Sequence, residues 1–399
     1  MELIKTNKKN NVLQSLIQIL NKNRQIIIEA NQKDLDLFDK NDRAMYDRLV
    51  VDEKKVDSMI QSVKEVMLQN DPVGCKKSSK TLDNGLEIIN KTAPFGTIMI
   101  IYESRPDVTI EASVLAFKAN NKILLKGGKE AFYSNQALVE CWYQSLKEND
   151  LNTDWVRLMN MNRTETQSFL KNPTEKLDLI VPRGGEKLIA FVKEHAQCAV
   201  LVSGRGNNFL YISKDADWEQ SLKVILNAKT QKISACNALD KILVDSNLPD
   251  YEKRLKDLQK FLNDNGVSIL VDTNTQIVLK DAEIISDESV WYEEFLAMKC
   301  CIGSVNNVKE AIEKINKYSG GHSAVIMTKN KETATEFMEQ VDSAAVYQNA
   351  STRYTDGGQM GAGAELAIST DKLHHRGPLG LEQLVTNKYY VFGDGHVRA

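Results

Sequence analysis

Apolar positions in this chain recur with two periods, and the switches between them lay out its elements. Up to about residue 75 the spacing is helical, with Leu13, Leu16, Ile17 and Leu20 at i, i+3, i+4 and i+7. Residues 81–92 place Asn84-Gly85 between alternating runs, which predicts a β-hairpin. The pattern then predicts a strand at 97–103, a helix at 108–118, a strand at 122–126, a helix at 131–147, and strands at 177–181 and 199–202. A helix follows at 217–229, with Leu222, Ile225 and Leu226 on one face. From Lys241 a second series begins. Its strands are predicted at 241–245, 267–271, 298–302, 323–328 and 344–348, and its helices at 250–263, 307–317 and 331–341. Repeated strand–helix–strand units imply parallel-type sheets covered by helices. A chain of 399 residues exceeds one ordinary core, so the expected fold class is α/β with two domains. After Lys372 the pattern is irregular until a strand-like 388–392.

Composition narrows the classes. Hydrophobic residues make 42% and charged residues 26%, as in globular proteins, and 51 Lys+Arg against 54 Asp+Glu give a net charge of −3. That balance speaks against general affinity for nucleic acid or an anionic membrane. Apolar runs such as 98–101 fall far short of a membrane span, and Met1 to Lys8 holds no signal-peptide core. The six cysteines (75, 141, 198, 236, 300 and 301) are irregularly spaced, which favours free thiols in a cytoplasmic setting. Adjacent Cys300 and Cys301 read as core residues, and the five histidines show no metal-ligand spacing, so no metal is expected.

Cys236 carries the most chemistry. Its neighbours Ser234, Ala235 and Asn237 are polar or small, and it lies on the connection between the 217–229 helix and the 241–245 strand. Catalytic groups tend to be displayed on such connections. A thiol must ionise to attack, and Lys229 and Lys232 are candidate helpers. Asn237 and nearby backbone N–H groups are candidates for stabilising an oxyanion. No Gly-x-Gly-x-x-Gly follows the first strand, but Lys126-Gly127-Gly128 and Pro182-Arg183-Gly184-Gly185 each follow a strand and precede a helix. Backbone N–H groups there can approach a phosphate. Paired glycines are also often plain turns.

Longer words add a family. Pro94-Phe95-Gly96, Tyr102-Glu103-Ser104-Arg105-Pro106, Asn227 to Ala238, Tyr347 to Gly358 and His374 to Glu382 resemble, in order and spacing, those of the gamma-glutamyl phosphate reductase (glutamate-5-semialdehyde dehydrogenase) family. That family is a branch of the aldehyde dehydrogenase superfamily, and the resemblance covers nearly the whole chain. It implies an aldehyde dehydrogenase-like fold, with 1–80 and 93–230 as the cofactor-binding domain and 231–365 as the catalytic domain. Residues 81–92 and 373–399 would be an oligomerisation hairpin and tail, pairing across the subunit interface of a homodimer or homotetramer. The implied reaction is NADPH-dependent reduction of L-glutamyl 5-phosphate to L-glutamate 5-semialdehyde and phosphate, through a Cys236 thioester, in cytoplasmic proline biosynthesis. A separate glutamate 5-kinase would supply the substrate and is a candidate partner.

The resemblance also assigns roles. Lys126, with Gly127 and Gly128, would meet the adenosine ribose region of the cofactor. Nearby Lys129, and the lack of an acidic residue directly after Lys126, favour NADPH. Gly184-Gly185 would cover the pyrophosphate, and Glu294 would hold the nicotinamide ribose, unless Glu293-Glu294 is a solvated helix face. Arg105 stands where relatives carry an oxyanion-hole Asn and suits phosphate or an oxyanion. Arg353 would grip the substrate α-carboxylate and Asp356 its ammonium, a plain loop being the alternative. Aldehyde-oxidising relatives have a glutamate in a Glu-Leu-Gly-Gly word that activates water, whereas Val202-Ser203-Gly204 has no carboxylate. The family's acidic residue after His322-Ser323 is Ala324 here, and His374 and Arg376 lie in a family word with a structural role as one reading. Two alternatives stay open: another superfamily acyl-phosphate or aldehyde oxidoreductase, and a catalytically idle structural or kinase-binding relative.

Overall fold

The computed structural model describes residues 2–39, 42–372 and 375–398, without the side chains of Arg43 and Ala44, so His374 lies outside the described residues. The chain forms two compact units. One comprises Met1–Val202, Gly361–Ala367 and Leu379–Ala399, the other Ser203–Met360 and Ile368–Pro378.

Two sheets build the first unit. Strands β1 (Lys76–Thr81) and β2 (Glu87–Pro94) form the expected hairpin around Asn84-Gly85. Strands β3 (Thr97–Tyr102), β4 (Lys122–Lys126), β5 (Val156–Leu158), β6 (Leu179–Arg183) and β7 (Ala199–Val200) form a parallel sheet in the order β5-β4-β3-β6-β7. Central β3 reads Ile-Met-Ile-Ile-Tyr without polar interruption because both of its faces are covered. Ile98, Ile100 and Tyr102 enter a core shared with helices Thr6–Lys22, Glu53–Leu68, Asp107–Lys118 and Phe132–Glu148. Met99 and Ile101 enter a smaller one with Phe169 and Val192. This is the period-two alternation of a strand.

The second unit holds strands β8 (Asn208–Ile212), β9 (Leu239–Asp245), β10 (Ser268–Val271), β11 (Glu283–Ile284), β12 (Lys299–Val305), β13 (Ser323–Met327) and β14 (Ala345–Gln348). They form one parallel sheet in the order β11-β10-β12-β9-β8-β13-β14. A short antiparallel pair, β15 (Ile368–Ser369) and β16 (Gly377–Pro378), lies outside it.

Three expectations need correction. The boundary falls at Val202/Ser203 rather than 230/231, because β8 was not foreseen as a strand and it hydrogen-bonds between β9 and β13. The expected catalytic domain ran to 365, but 361–367 joins the first unit, whose core buries Leu366 and Ala367. The tail strand β17 (Val385–Phe392) starts earlier than 388 and pairs antiparallel with β2 of the same chain, from Val385 opposite Pro94 to Phe392 opposite Glu87. Hairpin and tail therefore make one three-stranded sheet within the chain, where pairing across an interface was expected. Among the described residues no helix is long and apolar enough to cross a membrane.

Candidate functional site

In a parallel sheet the connections that precede adjacent strands all open at the same edge. In the second unit, the loops entering β8, β9, β12 and β13 carry Gly206, Cys236, Glu294 and His322 respectively. Cys236 is half-buried on a turn between helix Trp218–Thr230 and β9. The fully buried Asn208 fixes it there: its side-chain amide donates to the carbonyls of Gly206 (2.9 Å), Cys236 (2.8 Å) and Ala238 (2.7 Å). Asn207 does the same for the next loops, donating to the carbonyls of Trp291 (2.7 Å) and Tyr318 (2.9 Å). Sequence reasoning missed both asparagines. The available signal was a polar pair set directly before the apolar run Phe209–Ile212.

Gly206 is where the loops come closest. A Cβ there would lie 2.1 Å from the Cys236 carbonyl oxygen, 2.5 Å from Cys236 Cα and 2.5 Å from Glu294 Oε1. The Glu294 carboxylate thus flanks the cysteine, with only a glycine backbone between. Gly206→Ala must push these groups apart, and misplacement by about 1 Å costs roughly 10²-fold in rate. The expected result is a kcat lower by about that factor with a cooperative thermal unfolding transition retained, checked by steady-state kinetics and a melting curve.

The substrate-loop candidates join this edge through Asn237. Segment 349–356 follows β14 and doubles back beside helix Trp218–Thr230, from Asn349, bound to Thr328, to Thr355, bound to Ser323. The Asn237 amide donates to the carbonyls of Thr355 (3.0 Å) and Arg353 (3.3 Å), and Thr352 Oγ1 donates to the Asn237 carbonyl (2.6 Å). Its nitrogen is therefore committed to the loop, which makes Asn237 a positioning residue in this arrangement rather than an oxyanion donor. Arg353 Nε donates to Gln231 Oε1 at 2.9 Å. Burial lowers the pKa of Arg353, while the neighbouring Cys236 thiol and Asp356 carboxylate oppose that shift. A guanidinium thus stands close to the cysteine, the kind of neighbour that favours thiolate. Arg353, Asp356, Asn227 and Gln231 line a polar pocket of about 910 Å³.

Lys229 does not act as expected. Lys229 is fully buried, and its ammonium is paired with Asp240 Oδ1 at 2.7 Å. Lys232 is an exposed residue. Glu293-Glu294-Phe295 is no helix face either, since it follows the short 3-10 turn Glu288–Tyr292 as irregular backbone. Ala324 is fully buried in an apolar layer with Phe209, Tyr211 and Ile326, so a small apolar residue suits its place. His322 beside it is also buried, which lowers its pKa to about 4 and keeps it neutral, and it is linked through Ser323 Oγ to Thr355 Oγ1. Arg376 reaches Asp342 (2.8 Å) and the Thr370 carbonyl (3.1 Å), a structural engagement.

The remaining candidates lie in the first unit. Lys126, Gly127, Gly128 and Lys129 line a pocket of about 230 Å³ with residues 158–162, at the C-terminal ends of β4 and β5. Ligands of open α/β sheets bind at such ends. Two lysines and a glycine backbone fit the ribose end of a nucleotide, and burial lowers the Lys126 pKa. At Gly184-Gly185 the Gly185 N–H already donates to Glu103 Oε2 at 3.1 Å, so a carboxylate sits where a pyrophosphate was expected. Arg105 lies by Glu111, whose pKa rises to about 7, chiefly through burial and then through Asp107, with Arg183, Lys55 and Arg105 opposing. Preceding Ser104 has φ +42° and is held by its N–H and Oγ on Glu130 Oε1 (2.7 and 2.8 Å). Among the described residues six non-glycines have positive φ, and three of them, Ser104, Leu296 and Asn349, lie near Arg105, Glu294 and Arg353. Strain of this kind persists only where the surroundings over-determine it.

Residues 275–365 match the aldehyde dehydrogenase family, and the class follows from fold and match together: an oxidoreductase of aldehyde dehydrogenase type. Over 98% of its length the chain is 44% identical to the gamma-glutamyl phosphate reductase of a Nitratiruptor species, covering 95% of that protein. The crystal structure of gamma-glutamyl phosphate reductase from Thermotoga maritima superimposes with a TM-score of 0.94 at 39% identity, covering 99% of this chain and 95% of that one. The chain belongs to the gamma-glutamyl phosphate reductase family. A glyceraldehyde-3-phosphate dehydrogenase of Methanocaldococcus jannaschii complexed with NADP shares the fold alone, at 15% identity and a TM-score of 0.66, over 98% of this chain and 90% of that one.

Proposed function

We propose that the chain reduces L-glutamyl 5-phosphate to L-glutamate 5-semialdehyde and phosphate with NADPH, in cytoplasmic proline biosynthesis. The observation that carries this reading is Arg353: it stands beside Cys236 in the loop that also bears Asp356, lining a polar pocket. Arg353 holds the α-carboxylate and Asp356 the ammonium. The Cys236 thiolate attacks the acyl carbon, the C–O bond to phosphate breaks, and a thioester remains on the sulfur. Backbone N–H groups near Cys236, and Arg105, stabilise the oxyanion or the departing phosphate. NADPH, when bound, would supply the hydride to the thioester carbon, and breaking of the C–S bond releases the aldehyde and restores the Cys236 thiolate. Lys126 and Lys129 favour its 2′-phosphate, and Glu294 orients its nicotinamide ribose. Gly184-Gly185 covers the pyrophosphate once the Glu103 carboxylate releases the Gly185 N–H. A glutamate 5-kinase supplies the unstable acyl phosphate and is a candidate partner. The β1-β2-β17 ribbon, with Tyr389, Val391 and Phe392 exposed, serves homo-oligomerisation.

Substrate choice tests this reading. With phosphate present, NADP+ reduction by glutamate semialdehyde is compared with reduction by succinate semialdehyde and propionaldehyde, for the parent chain and for Arg353→Leu. A charge-assisted hydrogen bond contributes about 1.5–3 kcal/mol, so the variant should lose roughly 10–100-fold in kcat/KM for glutamate semialdehyde and little for propionaldehyde. Equal or better use of the simple aldehydes by the parent chain would count for another acyl-phosphate or aldehyde oxidoreductase of the superfamily.

A further inference from the structure

Beneath the Glu294 segment lie three charged side chains that the reaction does not use. Lys229, Asp240 and Lys241 are 0%, 2% and 0% exposed. Burying charges is costly, and a buried ion pair is often no more stabilising than well-packed apolar residues of the same volume. Their contacts converge on one short stretch of backbone. Asp240 Oδ1 accepts from Lys229 Nζ at 2.7 Å, and Asp240 Oδ2 accepts the N–H of Phe295 at 2.9 Å. Lys241 Nζ donates to the carbonyl of Glu293 at 2.7 Å and lies 3.8 Å from the centre of the Phe295 ring. The residue before Glu294 and the residue after it are thus each gripped by one of two consecutive residues of the β9 strand, which begins three residues after Cys236. Just beyond, Leu296 turns the chain with φ +49°.

We propose that Asp240 and Lys241, with Lys229 backing Asp240, are positioning residues that clamp the 293–295 backbone and so hold the Glu294 carboxylate in register with Cys236 for the nicotinamide nucleotide. The proposal rests on the reading of Glu294 as the ribose-holding residue. The clamp ties nucleophile and cofactor ligand to the same strand, so the spacing between them is set by β9. A purely structural role would give loss of stability without a specific dependence on Glu294.

A double-mutant cycle on the full chain distinguishes these cases. NADPH affinity is measured by fluorescence titration, without substrate, for Lys241→Met, Glu294→Gln and the double variant, with melting curves alongside. Lys241→Met replaces the ammonium by an apolar chain of similar length. The expected result is about tenfold weaker NADPH binding for Lys241→Met, and a double variant no weaker than Glu294→Gln alone. Phe295→Leu, which removes the ring against Lys241 without touching β9, provides a second route should Lys241→Met fail to fold. It should weaken binding about threefold, and only while Glu294 is present. If Glu294→Gln weakens binding while the clamp variants leave it unchanged, or while the effects multiply, the proposal is overturned and the reading of Glu294 stands. A silent Glu294→Gln overturns both.

Discussion

Serine in place of Cys236 is expected to leave no more than about one part in 10⁴ of the reductase activity, since removing a nucleophile that acts within a catalytic unit costs at least that much. The argument is chemical. Thioester formation needs a nucleophile that is ionised near neutral pH, and an alcohol at the same place is not. The argument is also structural. The turn is held through its backbone carbonyl by Asn208, not through the thiol, so serine should leave the fold intact. Thiol labelling checks the cause independently of turnover. Burial pushes Cys141 up to about 11 and Cys300 and Cys301 each to about 12, so these should stay unmodified by iodoacetamide at pH 7. Half-buried Cys236, beside the Arg353 guanidinium, should react faster than exposed Cys75, as read by peptide mass spectrometry. Equal rates at Cys236 and Cys75, with no turnover by either the parent chain or Cys236→Ser, would fit the catalytically idle relative instead.

Much of this was legible in the chain, for reasons that differ between elements. Five of the seven parallel strands of the second unit followed from their apolar runs, β8 and the two-residue β11 not among them, and predicted and observed bounds of β9, β10, β13 and β14 agree within two residues at either end. Strand β8 escaped because the polar Asn207-Asn208 pair in front of Phe209 hides its start, and the boundary between the units was misplaced as a result. Cys236 stood out because its neighbours Ser234, Ala235 and Asn237 are polar or small. The partners that fix it did not. Asn208, Gly206 and the Lys229–Asp240 pair act across sequence separations that no local pattern encodes, and a buried lysine looks the same in sequence as a solvated one. Asn237 adjoins Cys236 in sequence, but its partners in segment 349–356 become visible only once that segment folds back.

The absent water-activating base leads to the second large effect. General-base help to an attacking water is worth roughly 10²–10⁴-fold, and Val202-Ser203-Gly204 offers no carboxylate to give it. Glu294 is a carboxylate close by, with Oε1 packed on Gly206, and on the proposed reading the clamp beneath it holds it for the nicotinamide ribose. The thioester should therefore wait for phosphate. The most direct measurement mixes the enzyme with pyrroline-5-carboxylate, the cyclised form of the semialdehyde, and NADP+, with and without inorganic phosphate, and counts NADPH formed per Cys236. The account predicts sustained turnover with phosphate and, without it, a halt after about one equivalent per site, the residual rate lower by about 10²-fold or more. Continued phosphate-independent NADPH formation, with free glutamate accumulating, would contradict it and would group this chain with the aldehyde oxidisers.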